Sequence, residues 1–281
     1  MISENKKYLS FAHSSADKVG NILKKNYKTN GIIKGLKKVK NKQEVVTNID
    51  LEVEVLLRKL IASEFPTHNI LGEEKGFLDN KSDYTWIIDP IDGTKAFAAG
   101  IPLFGLMISL KYKENYILGL VDQPILKERY WSQNKNSFLN KKKIKTSSTN
   151  KLSDATLAIT DPNMFKNFNK INQGIFKKFN YVRWGTDVMG YLRCAEGIID
   201  AIIERDIKDF FKSKLFTSLY TKLSEPLHSF PISYRLDNKK SVSDPIGMKA
   251  NNLLTKWHII SVPKDYLEIT YKILQGMELN I

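Results

Sequence analysis

The 281-residue chain contains a single cysteine, Cys194, which excludes an internal disulfide and any paired-cysteine metal centre. Arginine is also scarce. Only six of the 44 basic residues are arginine, so the net charge of +14 is carried mostly by lysine. The basic runs "LKKVKNK" (36–42) and "NKKKIK" (140–145) are not interleaved with aromatics, so they lack the stacking platforms of a nucleic-acid binder. Such a field suits a small phosphorylated ligand, and no nucleic-acid partner is expected. No apolar run reaches the 18 residues of a membrane span, and the opening "MISENKKYLSFAHSS" has no signal-peptide core. A soluble cytoplasmic protein without a membrane partner is the expectation.

What is present is a packed core. Hydrophobic residues make up 42% and aromatics 11% of the chain, enough for one large unit. Residues 7–26 place Leu9, Ala12, Ala16, Val19, Ile22 and Leu23 at helical spacing. A basic, glycine-punctuated loop is expected next, then a short extended piece at "VVTNID". "DLEVEVLLRKLIASEF" predicts a second helix with Asp50 as N-cap, stopped by Pro66. "HNILG", Trp86–Asp89, "FGLMISLKY", "YILGLVDQP", "RYWSQNK" and "NSFLN" predict strands. After Ser147, "ATLAIT", "NYVRW", "IIDAIIE" and "WHIISV" predict further strands. "TDVMGYLRCAEG" and "PKDYLEITYKILQG" predict helices. The mixture in both halves indicates an α+β layered fold. Residues 1–281 are read as one catalytic unit with halves 1–146 and 147–281.

The chemistry concentrates in "TWIIDPIDGTKAF" (85–97). Asp89 ends an apolar strand, Pro90 forces a turn, and Asp92 follows three residues on. Gly93 permits close backbone approach, and Thr94 starts a short helix. Free N–H groups at a helix start favour an anion, which adjacent carboxylates repel. A Mg²⁺ ion resolves the conflict, because it is held by one or two carboxylates together with substrate phosphate oxygens. Glu73 and Glu74 follow another strand, and Asp50 stands at a helix start, so they join the candidate cluster. Other phosphate chemistries fail on spacing. The residue six after Cys194 is Asp200, not the arginine a cysteine phosphatase needs, and Cys194 reads as core. The aspartates are D-x-x-D, not the D-x-D of aspartyl-phosphate enzymes, and no GxxxxGK[ST] loop occurs. His13, His68, His228 and His258 are scattered and show no metal spacing.

These segments, "VTNID", "GEE", "WIIDPIDGT" and "GTDVMGYLRCAEGIIDAIIE", resemble the inositol monophosphatase family over roughly residues 7–207. "DPIDGTKAFAAGIPLFGLMISL", "GLVDQPILKERYWS" and "TDPNMF" (160–165) are most similar to its histidinol-phosphate phosphatase branch. The resemblance implies a layered α-β-α-β-α sugar-phosphatase-type fold and Mg²⁺-dependent phosphomonoester hydrolysis with two or three ions. It places Glu73, Asp89 and the Ile91 carbonyl on the first metal, and Asp89 and Asp92 on the second. Thr94, oriented by Asp50, aims a metal-activated water, and Thr94 and Glu73 take its proton. Gly93 and Thr94 hold the phosphate by N–H groups, while Asp187 and Glu204 touch the alcohol. Lys40 is a loosely placed site lysine. Histidinol phosphate is the expected substrate. Inositol-1-phosphate, a 3′-phosphoadenosine nucleotide and a non-catalytic ligand-binding member are the alternatives, and a homodimer is compatible with the family.

The pattern then breaks. The family's further aspartate ligand, seven residues past Glu204, is Phe211 here; either two residues are deleted and Asp209 takes the role, or the ligand is missing. No glycine occurs between Gly197 and Gly247, where the family has a Gly-Gly turn. The fold is therefore expected to be atypical or damaged between about residues 208 and 250, as a local change of reading frame would produce. A formed first metal site and an altered second one follow from this.

Overall fold

The structure, a computed structural model, describes residues 2–29, 34–39, 42–113, 115–133, 136–149, 151–162, 174, 176–205 and 257–261. Helix α1 (Ile2–Asn26) begins five residues earlier than its apolar periodicity. Strands β1 (Lys34–Val39) and β2 (Lys42–Thr47) then form an antiparallel hairpin; the extended reading of "VVT" falls in β2, whereas β1 lies where the sequence predicts a loop. Backbone pairing between the two strands overrides the low strand preference of lysine, because strand propensity reflects context more than intrinsic preference.

Helix α2 (Asn48–Glu64) starts with a cap that corrects the sequence expectation. Thr47, not Asp50, is the N-cap, and Asp50 is the third helical residue. Thr47 Oγ1 accepts the Asp50 and Ile49 N–H groups, while the Asp50 carboxylate accepts the Thr47 N–H at 2.8 Å. This reciprocal capping box satisfies more donors than a lone capping aspartate.

The chain next builds β3 (Asn69–Gly72), β4 (Gly76–Leu78), β5 (Tyr84–Asp92), α3 (Thr94–Ala98), β6 (Gly105–Tyr112) and β7 (Asn115–Gln123). β8 (Glu128–Gln133), β9 (Asn136–Leu139) and β10 (Lys142–Ile144) follow. These strands form an eight-stranded sheet of order β10-β9-β8-β7-β6-β5-β3-β4. β10 lies in the basic run "NKKKIK", whose single apolar residue, Ile144, is buried. The second half holds β11 (Thr156–Ile159), β12 (Tyr181–Trp184), α4 (Asp187–Glu196), β13 (Ala201–Arg205) and β14 (Trp257–Ser261). Its strands form a four-stranded sheet of order β12-β11-β13-β14.

Strand alternation sorts the core into two layers. Trp86, Ile88, Leu106, Ile108 and Leu120 face α1 and α2 with Ala12, Val19, Leu57 and Ile61. Ile87, Met107 and Val121 face the other way, onto Val188, Leu192 and Ala195 of α4 and onto Ala158 and Ile202 of the small sheet. The order helix, sheet, helix, sheet follows from this period-two switch. Each fully buried branched aliphatic in these layers contributes about 1.5–3 kcal/mol. Cys194 is buried in this core, as its helical position predicts. His68 is a core residue too: Trp86 Nε1 donates to its Nδ1 at 3.2 Å, and it stacks on Phe65 and Tyr84. Among the described residues, no helix is long and apolar enough to cross a membrane. The expected C-terminal helix, Lys40, Asp209, Phe211 and the altered stretch 208–250 lie outside the described residues.

Candidate active site

The geometry starts at Pro90. The sequence predicts a turn there, yet β5 runs through to Asp92. Asp89 pairs with Met107 and Asp92 with Gly105, so three steps along β5 oppose two along β6. Proline cannot donate to the ladder, and a bulge with one extra residue accommodates it without ending the strand. The bulge buries both aspartates, Asp89 at 1% and Asp92 at 6% exposure. Asp89 Oδ1 accepts the Ile91 N–H at 3.1 Å. Asp92 Oδ2 accepts the Val188 N–H at 2.8 Å, which ties the bulge to the first turn of α4 across the two halves.

Gly93 follows with φ of 88°, in the left-handed region. A Cβ there would lie 2.5 Å from the Leu103 carbonyl oxygen. Conformation and space both demand glycine at this turn. Thr94 opens α3, and its Oγ1 lies 2.9 Å from the Ile91 carbonyl oxygen and 3.2 Å from Asp50 Oδ1. A hydroxyl has one proton and two lone pairs. Donating to either oxygen leaves Thr94 able to accept from a third group.

Asp50 itself is buried, and its pKa rises from 3.8 to about 6. Desolvation is the main cause. The Thr47 hydrogen bonds oppose it, and the negative fields of Glu74 and Glu73 add to it. Those fields place the Glu73–Glu74 turn beside Asp50. β3 and β5 are parallel with Gly72 opposite Ile88, so Glu73 and Asp89 leave neighbouring strands at the same end. Asp50, Thr94 and the Ile91 carbonyl are thus joined by hydrogen bonds, and the β3–β5 register brings Glu73 to the same end of the sheet as Asp89.

Asp187 is the first residue of α4, next to the Val188 N–H that reaches Asp92, and its φ is 42°. Left-handed backbone is uncommon outside glycine, though aspartate tolerates it better than most residues, and it often marks a functional position. Glu204 lies one residue beyond the Ile159–Ile203 pair, at the end of parallel strands β11 and β13. β12 ends at that same edge and leads through Gly185 into Asp187. Ligands of α/β sheets collect at such carboxyl ends. Val188, as a donor to Asp92, and Glu54, whose carboxylate holds the Glu74 and Lys75 N–H groups, are absent from the sequence prediction. The helical spacing of Asp50 and Glu54 puts both on one face of α2 but does not show what Glu54 contacts, and Val188 has no such signal.

The model of the inositol monophosphatase family matches residues 4–210, and the chain belongs to that family. A second model, the SHS2 domain inserted in FtsA, matches residues 198–261, which lie mostly outside the described residues. Bifunctional phosphatase IMPL2 of Arabidopsis thaliana is 36% identical over 212 residues, covering 74% of this chain. The aligned part is 60% of the Arabidopsis protein's own length. A fructose-1,6-bisphosphatase/inositol-1-monophosphatase of Aquifex aeolicus is 29% identical over 94% of this chain and 98% of its own. Nus factor SuhB of Haemophilus influenzae is 31% identical over 71% of this chain and 77% of its own. Among solved structures, a Thermotoga maritima IMPase superposes with a TM-score of 0.77 at 22% identity, covering 96% of this chain and 98% of the other. An IMPase/NADP phosphatase complexed with Mg²⁺ and phosphate superposes at 0.73 and 21% identity, covering 97% of each chain. These likenesses establish the layered fold that the sequence predicts.

Proposed function

We propose that this chain is a Mg²⁺-dependent phosphomonoesterase acting on a small phosphorylated alcohol, with histidinol phosphate as its substrate. The observation that carries the reading is the joining of Asp50, Thr94 and the Ile91 carbonyl by hydrogen bonds at the Pro90 bulge, with Glu73 at the same end of the sheet as Asp89. The donor set fits magnesium: every candidate ligand is oxygen, and Mg²⁺ takes only one or two carboxylates beside waters and phosphate oxygens. Among the described residues, no three His, Cys, Asp or Glu side chains form a ready-made metal cage. The proposal therefore completes each ion with the Ile91 carbonyl, water and substrate oxygens.

Glu73, Asp89 and the Ile91 carbonyl would hold a first ion, and Asp89 and Asp92 a second. A third ion is compatible with the reading. Bound there, the ions supply Lewis-acid activation of water and charge stabilisation at the phosphoryl group. The chain's own residues do the rest. Asp50, with its raised pKa, can take the Thr94 hydroxyl proton while Thr94 takes one from the attacking water. Glu73 is the alternative acceptor for that proton. Gly93 and Thr94 N–H groups face the phosphate, and Asp187 and Glu204 contact the alcohol. The sequence has neither the cysteine-phosphatase nor the aspartyl-phosphate spacing, so attack by water without a covalent intermediate is proposed.

The substrate assignment rests on the segments that resemble the histidinol-phosphate branch. The names of the relatives keep inositol phosphates, fructose bisphosphate and nucleotide phosphates in the test, with 3′-phosphoadenosine nucleotides among the last. A second reading, a non-catalytic ligand-binding member, is favoured by one observation. The family match ends at residue 210, where the sequence puts Phe211 in place of a ligand aspartate. Asp209 is the proposed substitute. The +14 charge and the SuhB relative leave nucleic-acid binding as an arm of the test. The experiment is phosphate release from a panel of these monoesters, with and without Mg²⁺, alongside RNA binding at two salt concentrations. Magnesium-dependent turnover highest on histidinol phosphate is expected. A folded chain that releases no phosphate from any of them would establish the second reading.

A further inference from the structure

We propose that Glu54 is a positioning residue that sets Glu73 in place for the metal. The inference rests on the proposed role of Glu73 as a ligand of the first ion. Glu54 lies on α2, one turn past Asp50, and is fully buried. A carboxylate placed there costs several kcal/mol unless its oxygens are matched. They are matched by the backbone of the Glu73-bearing turn. Oε2 accepts the Glu74 N–H at 2.7 Å, and Oε1 accepts the Lys75 N–H at 3.0 Å. Arg58, one helical turn on, donates Nε to Oε1 at 2.8 Å and supplies the opposite charge. The Arg58 guanidinium also donates to the Gly76 carbonyl, so the same pair closes on both sides of the turn.

The approach is made possible by Gly72. A Cβ there would lie 2.2 Å from Glu54 Oε1 and 2.8 Å from Arg58 NH2. φ is not the constraint at this glycine, since its backbone is ordinary strand. The constraint is space for the carboxylate and guanidinium. Glu73 is therefore held from both sides. Gly72 is fixed in the ladder opposite Ile88, and the next two N–H groups are fixed by Glu54. Hydrogen bonds to an ionised acceptor are stronger than neutral ones, which makes the clamp stiff. The position of Glu73 relative to Asp89 thus depends on a carboxylate that would touch neither metal nor substrate. Outer groups of this kind orient a metal's ligands, and their loss costs about 10–100-fold in metal affinity.

The test measures Mg²⁺ binding to the full chain by calorimetry, for the unmodified protein and for Glu54→Gln, with folding checked by circular dichroism. Glutamine retains one acceptor but turns an N–H₂ group toward a donor, so one of the two turn bonds is lost. Mg²⁺ affinity is expected to drop about 10–100-fold in the folded variant. Turnover should return at raised Mg²⁺, with an unchanged KM for the phosphate ester. If Glu54→Gln does not fold, Arg58→Gln, which loosens one side of the clamp, takes its place with the same expectation. Equal Mg²⁺ affinity in a folded variant and the unmodified chain overturns the inference and leaves the phosphatase reading standing. Mg²⁺ binding that needs Glu54, with no phosphate released from any substrate, upholds the inference and overturns the phosphatase reading. No Mg²⁺ binding by the unmodified chain overturns both.

Discussion

Two of the places where this molecule buries aspartates solve the cost differently. At the α1–β7–β8 contact, Asp122 accepts from Arg129 Nε at 2.7 Å, and the same guanidinium reaches Asp17 at 2.8 Å. Burial still pushes the Asp122 carboxyl up, but a cation within the chain opposes it. At the Pro90 bulge, the charged neighbours that act on Asp50 are Glu73 and Glu74, both of its own sign. One carboxylate is buried beside a cation, and the other beside charges of its own sign. The first arrangement pins a helix to a sheet, and the second raises the affinity of Asp50 for a proton.

The sharpest break in that comparison is Asp92→Asn, which removes a charge from the Pro90 bulge. Turnover of the preferred phosphomonoester should fall at least about a hundredfold, the equivalent of roughly 3 kcal/mol of transition-state stabilisation. Stability should change little, since the asparagine oxygen can still accept the Val188 N–H. Steady-state kinetics beside a denaturation curve checks both. Arg129→Ala tests the other site and should invert the pattern. Leaving Asp122 buried without its guanidinium should cost about 2–3 kcal/mol in urea unfolding, toward the low end for a broken pair because Asp17 is exposed. Mg²⁺ affinity should stay the same.

The smallest effect is in pH. The folded chain holds the Asp50 proton up to about pH 6, whereas an unfolded aspartate releases it near the ordinary 3.8. Stability from this group is therefore highest below about pH 4 and declines as pH rises through 6. In metal-free buffer, the stability of the unmodified chain relative to Asp50→Asn should fall across that window. Added Mg²⁺ should flatten the decline, because a cation favours the ionised carboxylate. A relative stability that rises across the window would sink the assignment of a raised pKa to Asp50.

Much of this architecture was readable along the chain, because the signals were local. Ala12, Ala16, Val19 and Leu23 repeat at the helical period, and all four are buried in the large core. The alternation around Trp86–Ile88 announced a strand with two apolar faces. Gly93 and Thr94 stood where a tight turn meets a short helix. The errors were also local in origin. Asp50 read as an N-cap because both aspartate and threonine cap helices, and only the backbone shows that Thr47 holds that place. Pro90 read as a turn because proline cannot join a ladder, but a bulge satisfies the same rule while keeping the strand. "LKKVKNK" read as a loop because its lysines hide a pattern that only the partner strand reveals.

By itself, the sequence determined which residues are candidates for the site, since "DPIDGT" and "GEE" combine carboxylates, glycine and threonine at close spacing. Tertiary structure alone decided how those residues are held. Asp92 and Val188 meet from 96 positions apart, and Glu54 reaches the Glu74 N–H from 20 positions away. Neither contact leaves a periodicity or a spacing in the chain. Each exists because packing two sheets against shared helices brings a buried carboxylate to backbone donors that would otherwise be stranded from water.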